Sequence, residues 1–285
     1  MPKLVNIPDF MKIEIDNISL SWSMVLKILI KSRVVAFIFK HTHGKIFCSF
    51  INLIYSKNGK IYFDGKYYYK LINDKNFYFP NKRIMRVAIE PLTHLNNFFN
   101  TYSLDFIDLK DDDLIVDCGA NVGELKLSCK IAGLKIKYIG IEPDNNVFKC
   151  LEKNKDPEDL VFNYALSNIN GIEDLFIDTK GGNTSLSDFG SKNKTRVPTH
   201  RLDSLGFKKI KLLKIDAEGF EPEVLEGCTG ILSEIQYISV DYGFERGLSS
   251  ESTMVEVLNK LYENKFLLIN ENPERKVGLF KNTLI

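Results

Sequence analysis

Residues 114–123 read LIVDCGANVG and carry the pattern that decides the fold. The apolar run at 114–116 is typical of a buried strand, and the glycines that follow predict a sharp turn into a helix that begins near Val122. The pattern returns at KIKYIGIEPD, residues 135–144, and further strands are predicted at 160–166, 211–215 and 236–240. Apolar strands that alternate with helices predict a parallel sheet covered on both faces.

Composition divides the 285 residues into two parts. Residues 1–110 are rich in Lys, Asn, Phe and Tyr, and the dipeptides Asn-Gly at 58–59 and Asp-Gly at 64–65 favour hairpin turns. We therefore expect an N-terminal α+β extension over 1–110, with an initial helix, hairpins and a helical segment near 91–102. An α/β domain should follow over 111–285. The residues of the extension indicate no function for it.

Charge and cysteine content restrict the partners and the compartment. The chain has 38 basic and 37 acidic residues, so bulk charge gives no support for nucleic-acid binding. The five cysteines (48, 118, 129, 150 and 228) form neither a disulfide framework nor a zinc site, and reduced thiols in a cytoplasmic protein are expected.

An apolar segment at residues 20–39 raises the question of a membrane. Lys27, Lys31 and Arg33 lie in its middle, which disfavours a helix that spans a bilayer. A buried helix, or a helix followed by a strand, is favoured. A basic helix that lies peripherally on a membrane is the alternative.

Two groups of residues predict a ligand at the carboxyl ends of the strands. Gly119 and Gly123 would let the backbone approach a ligand, and the positive end of the next helix would point at it. Glu142 ends the adjacent strand, where an acid can bond both hydroxyls of a ribose. Because the spacing G-x-N-x-G lacks the dinucleotide pattern GxGxxG, the nucleoside S-adenosylmethionine is favoured, with Asp117 and Asn121 at its amino-acid portion. An ordinary turn and a solvated acid are the alternative interpretations.

The order of five sequence blocks resembles the FkbM family of S-adenosylmethionine-dependent methyltransferases. The blocks are DCGANVG (117–123), IEPD (141–144), NYALSN (163–168), HRLDSL (200–205) and LLKIDAEGFEPEVLEG (212–227). The resemblance covers about residues 113–242. It implies the class I methyltransferase (Rossmann-like) fold, with a seven-stranded, mostly parallel sheet whose last strand is reversed. The implied acceptors are hydroxyl groups, often on sugars or polyketide-type products.

The resemblance also implies roles for particular residues. The cofactor would be bound by Gly119, Asn121, Gly123 and Glu142, and Ala120 is counted with the same loop. The segment Ala165-Leu166 is placed near the adenine. Asp241 stands where the family commonly carries a glutamate. Its side chain is shorter by one methylene, so a contact with the acceptor there would be altered.

The carboxylates of residues 211–227 divide into two groups. Asp216 ends a strand beside the predicted cofactor and Glu218 follows in the loop, so both are candidates for the base that accepts the hydroxyl proton. Asp216 could also contact the cofactor, and Glu218 the acceptor. Repulsion between the two would raise one pKa. A metal ion is disfavoured because no third ligand is evident.

The other acids of this stretch are better explained by a helix. Pro222 suits its first position, and Glu221 and Glu223 lie where a helix N-terminus favours negative charge. Gly227 is the expected C-terminal cap, and Glu226 is expected to be solvated.

Two more side chains and one loop are candidates for the acceptor pocket. Lys214 could neutralise the acidic loop, contact the acceptor, or extend to water as a strand-surface lysine. His200 could act as a base or be a plain surface residue. The glycine- and serine-rich loop at 181–190 could form a mobile edge of the pocket or be an ordinary loop.

These observations predict an O-methyltransferase that moves a methyl group from S-adenosylmethionine to a hydroxyl oxygen on a sugar or glycan precursor. One alternative is a methyltransferase fold retained as a non-catalytic binding or scaffold protein. A nicotinamide-dependent sugar-modifying enzyme is a further alternative, but it would need the GxGxxG pattern. The expected acceptor is a small molecule or glycan, not nucleic acid, and the oligomeric state is not predicted.

Overall fold

The computed structural model describes residues 22–178 and 184–285. One compact unit ends at His94, and the other spans Leu95–Ile285. The expected boundary at residue 110 therefore falls inside the second unit. The reason is packing, because Tyr102 and Leu104 share an apolar cluster with Ile115 of the first sheet strand.

The first unit combines helices with a small antiparallel sheet. Its elements are α1 (Trp22–His41), α2 (Gly44–Ile54), β1 (Ile61–Phe63), β2 (Tyr68–Ile72), β3 (Lys75–Phe79) and α3 (Met85–Ala88), and α4 (Pro91–Thr101) follows. The initial helix and the helical segment near 91–102 are thus confirmed. Within the part of the chain that the structure describes, no helix is both long and apolar enough to cross a bilayer.

The hairpin turns of this sheet differ in part from the prediction. Asp64-Gly65 lies between β1 and β2 as expected, whereas Asn58-Gly59 precedes β1 and joins no hairpin. The turn between β2 and β3 is Asn73-Asp74, with φ values of 48° and 60°. A two-residue hairpin turn of this kind needs positive φ at both positions, which Asn and Asp tolerate.

The second unit is built around a seven-stranded sheet of order β14-β15-β11-β10-β4-β5-β6. β15 runs antiparallel to both of its neighbours, which confirms the mostly parallel sheet with a reversed last strand. The elements up to β10 are β4 (Leu114–Cys118), α5 (Glu124–Ile131), β5 (Lys137–Ile141), α6 (Asn145–Asn154), β6 (Leu160–Phe162), β7 (Ala165–Leu166), β8 (Gly171–Phe176), β9 (Lys194–His200) and β10 (Ile210–Ile215). After them come α7 (Glu221–Glu226), β11 (Ile235–Asp241), β12 (Phe244–Arg246), β13 (Glu251–Ser252), α8 (Met254–Glu263), β14 (Phe266–Asn272) and β15 (Val277–Asn282).

Both faces of the central strands of the large sheet are buried, as their continuously apolar sequences predict. Successive side chains of a strand point to opposite faces. Val116 and Leu213 lie in a cluster with Leu225 of α7. Ile115 and Leu212 lie in a second cluster with residues of α5 and α6. The sheet therefore forms a rigid layer that fixes where its strands end.

The strand predicted at 160–166 is divided in two. β6 belongs to the large sheet, while β7 pairs with β9 in a separate sheet of order β7-β9-β8. Between them, the Asn163 side chain donates hydrogen bonds to the carbonyl oxygens of Glu142 (2.8 Å) and Pro143 (3.1 Å). These hydrogen bonds tie the segment between β6 and β7 to the end of β5.

Candidate active site

The central strands end side by side, and their following residues form the site. Cys118 of β4 is paired with Ile215 of β10, and Ile215 with Val240 of β11. Asp216 therefore emerges between the glycine loop after β4 and Asp241 at the end of β11. This is the edge of a parallel sheet at which ligands bind.

The glycine loop is required by packing within the protein. Gly119 has a φ of 73°, and a Cβ there would lie 1.9 Å from the carbonyl oxygen of Asp216. Gly123 has a φ of 92°, and its Cβ would lie 3.1 Å from Leu151 Cδ1. The chain itself thus requires both glycines, and the close approach of a ligand to this loop stays a prediction.

Glu142 is held rigidly beside this loop. Its side chain accepts hydrogen bonds from the backbone N–H of Asn121 (3.0 Å) and of Asp144 (2.9 Å), one on each oxygen. The residue is only 8% exposed, and burial raises the pKa of Glu142 to about 7 in spite of the two N–H donors. The carboxylate thus connects the end of β5 to the loop after β4.

Lys214 is a buried cation that contacts two aspartates and the glycine loop of the site. Its side chain is 2% exposed, and Nζ lies 3.1 Å from Asp117 Oδ1 and 3.5 Å from Asp216 Oδ2. Nζ also donates to the carbonyl oxygen of Gly119 at 2.8 Å. Burial opposes its charge, but the two aspartates raise the pKa of Lys214 above its ordinary value. The expectations that it extends to water or contacts the acceptor are wrong, because its own chain surrounds it.

Asp117 belongs to the same internal network. It is 1% exposed, and its Oδ2 accepts a hydrogen bond from the Tyr138 hydroxyl at 2.7 Å. Lys214 contacts the other oxygen, Oδ1, so both oxygens of the carboxylate contact groups of its own chain. The structure therefore argues against the predicted contact between this side chain and a cofactor ammonium.

Asp216, in contrast, remains accessible. Its side chain is 20% exposed, and Oδ2 accepts a short hydrogen bond of 2.6 Å from the hydroxyl of Tyr102. Burial opposes ionisation, but Lys214 and Tyr102 outweigh it, so the pKa of Asp216 lies below its ordinary value. Sequence reasoning missed Tyr102, which lies far from Asp216 along the chain.

A third carboxylate joins Asp216 and Glu218. One oxygen each of Asp216, Glu218 and Glu245 lies within 4.8 Å of the others. Burial, followed by the charges of Asp216 and Glu245, raises the pKa of Glu218 to about 10. Glu218 is therefore protonated at neutral pH and hydrogen-bonded to Glu245. The predicted absence of a third ligand is wrong, because β12 supplies Glu245, although acidic clusters are common without a metal.

Asp241 lies at the edge of this cluster. It is 2% exposed, accepts a hydrogen bond from the backbone N–H of Gly243 at 3.0 Å, and lies 3.6 Å from Arg275 Nη2. Burial and the charge of Asp216 raise the pKa of Asp241 to about 8. Four acidic side chains thus meet at the ends of β10 and β11.

Two acids that were assigned to the helix also hold the site in place. Glu221 is buried, and its Oε1 accepts hydrogen bonds from the backbone N–H of Ala217 (3.1 Å) and Gly219 (2.9 Å). Glu223 forms a two-point ion pair with Arg246, at 2.6 and 2.9 Å. Since Arg246 follows Glu245 in β12, this pair positions the third carboxylate. Gly227 caps the C-terminus of α7 as predicted, whereas Pro222 is the second residue of the helix and not the first.

The remaining predicted residues lie apart from this network. His200 pairs with Leu166 across β7 and β9, and its ring packs against Tyr164 at 4.6 Å between centroids. Ala165 and Leu166 are both buried. Of the loop predicted at 181–190, residues 181–183 lie outside the described part of the chain. Ser185 anchors the described part by donating to the carbonyl oxygen of Ala217 at 3.1 Å.

Stability is expected to depend on pH because of the buried acids. Burial raises the pKa of Glu142 and of Glu221 to about 7 from 4.5. The folded protein therefore binds more protons than the unfolded chain between these values. Its free energy of unfolding should fall as the pH rises through this window, by at most about 1.4 kcal/mol per pH unit for each group. Urea unfolding at intervals from pH 5 to pH 8 measures the slope.

A matched pair of variants tests whether this slope arises from a buried acid. Glu221→Gln should make it shallower, whereas Glu226→Gln, at a side chain that is 54% exposed, should leave it unchanged. Equal slopes for both variants would contradict the assignment.

Comparisons with known proteins identify the family of this chain. The sequence model of the Methyltransferase FkbM domain matches residues 117–268. A hexuronic acid methyltransferase, AglP of Haloferax volcanii, is 28% identical over 140 residues, which cover 47% of this chain and 57% of that protein. The methyltransferase sdnD of Sordaria araneosa is 25% identical over 210 residues, covering 52% and 79%.

Among solved structures, the methyltransferase FkbM from Methylobacillus flagellatus KT aligns with a TM-score of 0.45 at 17% identity. That alignment covers 70% of this chain and 53% of the other. The chain thus spans little more than half the length of the haloarchaeal relative and of this structure. Because the domain match covers more than half of the 285 residues, the chain belongs to the FkbM methyltransferase family.

Proposed function

We propose that this protein transfers a methyl group from S-adenosylmethionine to a hydroxyl oxygen of a sugar or glycan precursor. One observation carries the proposal: the Glu142 carboxylate is fixed at the end of β5 by the N–H of Asn121 in the neighbouring glycine loop. It is supported by the family and by the relative whose name states a sugar acid as its acceptor. The buried thiols of all five cysteines support a cytoplasmic location.

The donor set at this edge fits S-adenosylmethionine. Each Glu142 oxygen accepts one backbone hydrogen bond and keeps capacity for a second, so the pair can bind two ribose hydroxyls. The loop at 119–123 would hold the amino-acid portion through its backbone, since Asp117 is enclosed. Ala165 and Leu166 would lie beside the adenine. When bound, the cofactor supplies a methyl group on a positively charged sulfur.

Asp216 is assigned as the group that binds the acceptor hydroxyl and takes its proton. It is ionised and fixed by two contacts, from Tyr102 and Lys214, which both involve Oδ2. We therefore assign Oδ1 to the acceptor. A fixed carboxylate orients the oxygen and accepts its proton as the new bond forms, and both effects favour transfer.

Glu218 is assigned to acceptor binding rather than to proton removal. Because its proton lies in the hydrogen bond to Glu245, the remaining oxygens of Glu218 and Glu245 are assigned to accept hydrogen bonds from the acceptor hydroxyls. Such a set suits a polyhydroxyl compound. The proton shared by Glu218 and Glu245 also reduces their repulsion, so the proposal requires no metal ion.

Replacing Glu142 by alanine is expected to weaken the binding of S-adenosylhomocysteine by about tenfold to a hundredfold. Two hydrogen bonds to the ribose are lost, and a net contribution of about 1 kcal/mol from each gives a change within this range. Isothermal titration calorimetry measures the dissociation constant. Glu152→Ala, at an exposed acid on α6, is the matched control and should bind like the original protein.

The same titration separates the alternatives. Tight binding of NAD without binding of S-adenosylhomocysteine would support a nicotinamide-dependent enzyme and refute the proposal. Binding of S-adenosylhomocysteine without transfer to any member of a saccharide panel would support a scaffold protein. Equal affinities for Glu142→Ala and Glu152→Ala would remove Glu142 from the site.

A further inference from the structure

Helix α1 exposes a continuous row of large apolar side chains. The row, here called the α1 apolar face, consists of Trp22, Leu26, Ile30, Val34 and Phe37. The spacing of three or four residues places them on one side of the helix. Trp22 is 89% exposed and Phe37 is 65% exposed. Apolar groups this large are seldom left in water together unless they contact something.

This face is distinct from the side by which α1 packs. Val35 is fully buried and lies across the helix from the row, whereas Ile38, which is 6% exposed, lies at the edge of the row one turn after Val34. Residues of α1 other than those of the apolar face therefore supply its buried contacts. Helix α2 adds a second exposed apolar row, formed by Ile46, Phe50 and Leu53.

The charges around the α1 apolar face have a single sign. Helical spacing places Arg33 and Lys40 along one side of the row and Lys27 along the other, and all three are exposed. Lys45 at the start of α2 is exposed as well. Between residues 17 and 63 the sequence contains no aspartate and no glutamate.

We propose that α1 binds flat on a bilayer that contains anionic lipids, with its apolar face in the boundary between headgroups and acyl chains. An apolar row bordered by cations fits that boundary, because the row enters the lipid while the lysines and arginine meet the phosphates. A second copy of this chain fits less well, since it would bring the same cations against each other. The proposal does not depend on the methyltransferase activity.

The chain carries its own reporter for this contact. Trp22 is its only tryptophan and stands in the α1 apolar face. Adding vesicles of equal parts phosphatidylcholine and phosphatidylglycerol to the full chain should shift its fluorescence to shorter wavelength. Vesicles of phosphatidylcholine alone should bind far less, and added salt should weaken binding to the anionic vesicles. Vesicle sedimentation gives the partition coefficient.

Three variants test which features matter. Leu26→Ser with Phe37→Ser should lower the partition coefficient by at least about a hundredfold, because two large side chains no longer enter the lipid. Replacing Lys27, Arg33 and Lys40 by glutamine should lower it by about fivefold per charge. Val255→Ser on α8, at a residue that is 69% exposed, should leave it unchanged. Circular dichroism and thermal unfolding establish that the exposed substitutions preserve the fold.

Three results would each overturn the proposal. One is a Trp22 emission that anionic vesicles do not change. Another is an emission that is already shielded without lipid and varies with protein concentration, which would indicate a second copy on the face. A third is a shielded emission that becomes exposed only when residues 1–21 are deleted, which would indicate coverage by that segment.

Discussion

Lys214→Met is expected to lower the free energy of unfolding by about 3–5 kcal/mol, the loss typical of breaking a buried ion pair from one side. Lys214 is 2% exposed and neutralises two carboxylates, those of Asp117 and Asp216. Methionine fills a similar volume but leaves Asp117, which is 1% exposed, without its cation. Urea unfolding followed by circular dichroism measures the change.

Two further variants make this result specific. Lys211→Met changes the same residue type on the same strand, where the ammonium lies over the Tyr237 ring at 5.6 Å, and a loss of no more than about 1 kcal/mol is expected. Combining Lys214→Met with Asp117→Asn should recover part of the lost stability, since the unpaired charge is removed. A Lys214→Met protein as stable as Lys211→Met would contradict the role given to Lys214.

Asp216→Asn is expected to reduce methyl transfer by about a hundredfold to ten-thousandfold, the usual contribution of a positioned proton acceptor. Asparagine keeps an oxygen for the Tyr102 hydroxyl, so the loop should retain its shape. The affinity for S-adenosylhomocysteine should change little, because the ribose contacts are assigned to Glu142. Transfer of a radiolabelled methyl group to a panel of mono- and oligosaccharides measures the rate.

Glu218→Gln is the matched comparison for this experiment. Since burial and neighbouring acids keep Glu218 protonated, a neutral amide of the same shape should lower the rate by less than about tenfold. If Glu218→Gln lost most of its methyl-transfer rate while Asp216→Asn stayed active, Glu218 would be the proton acceptor and Asp216 the acceptor-binding residue. Loss of cofactor affinity in Asp216→Asn would instead assign the residue to cofactor binding.

The main features of the fold were predictable from local patterns. The apolar strands before Asp117, Glu142 and Asp216 are short, continuous and separated by helical segments, so their parallel pairing and double burial followed. The limits of several elements shifted, and residues 160–166 divided into β6 and β7. Asn163, which lies between the two strands, is held to the end of β5 by hydrogen bonds that are a tertiary contact.

The candidate site was only partly predictable. Asp216, Glu218 and Glu142 stand at strand ends, where sequence alone suggests a function. Tyr102 and Glu245 had no such signal, because one lies after α4 and the other in a short hairpin, and each reaches the site only through folding. The ion pair between Arg246 and Glu223, which positions Glu245, likewise joins residues that are 23 positions apart in the sequence.

The sequence by itself determined the central strands of the large sheet, the residues that end them and the family that the blocks resemble, because these depend on local periodicity and residue order. Only the tertiary structure decided what each charge does. Lys214 and Asp117 became an enclosed ion pair, Glu221 a support for the loop, and Glu218 a protonated acid. The physical reason is that charge state and hydrogen bonding depend on burial and on neighbours distant in sequence, and no local pattern encodes either.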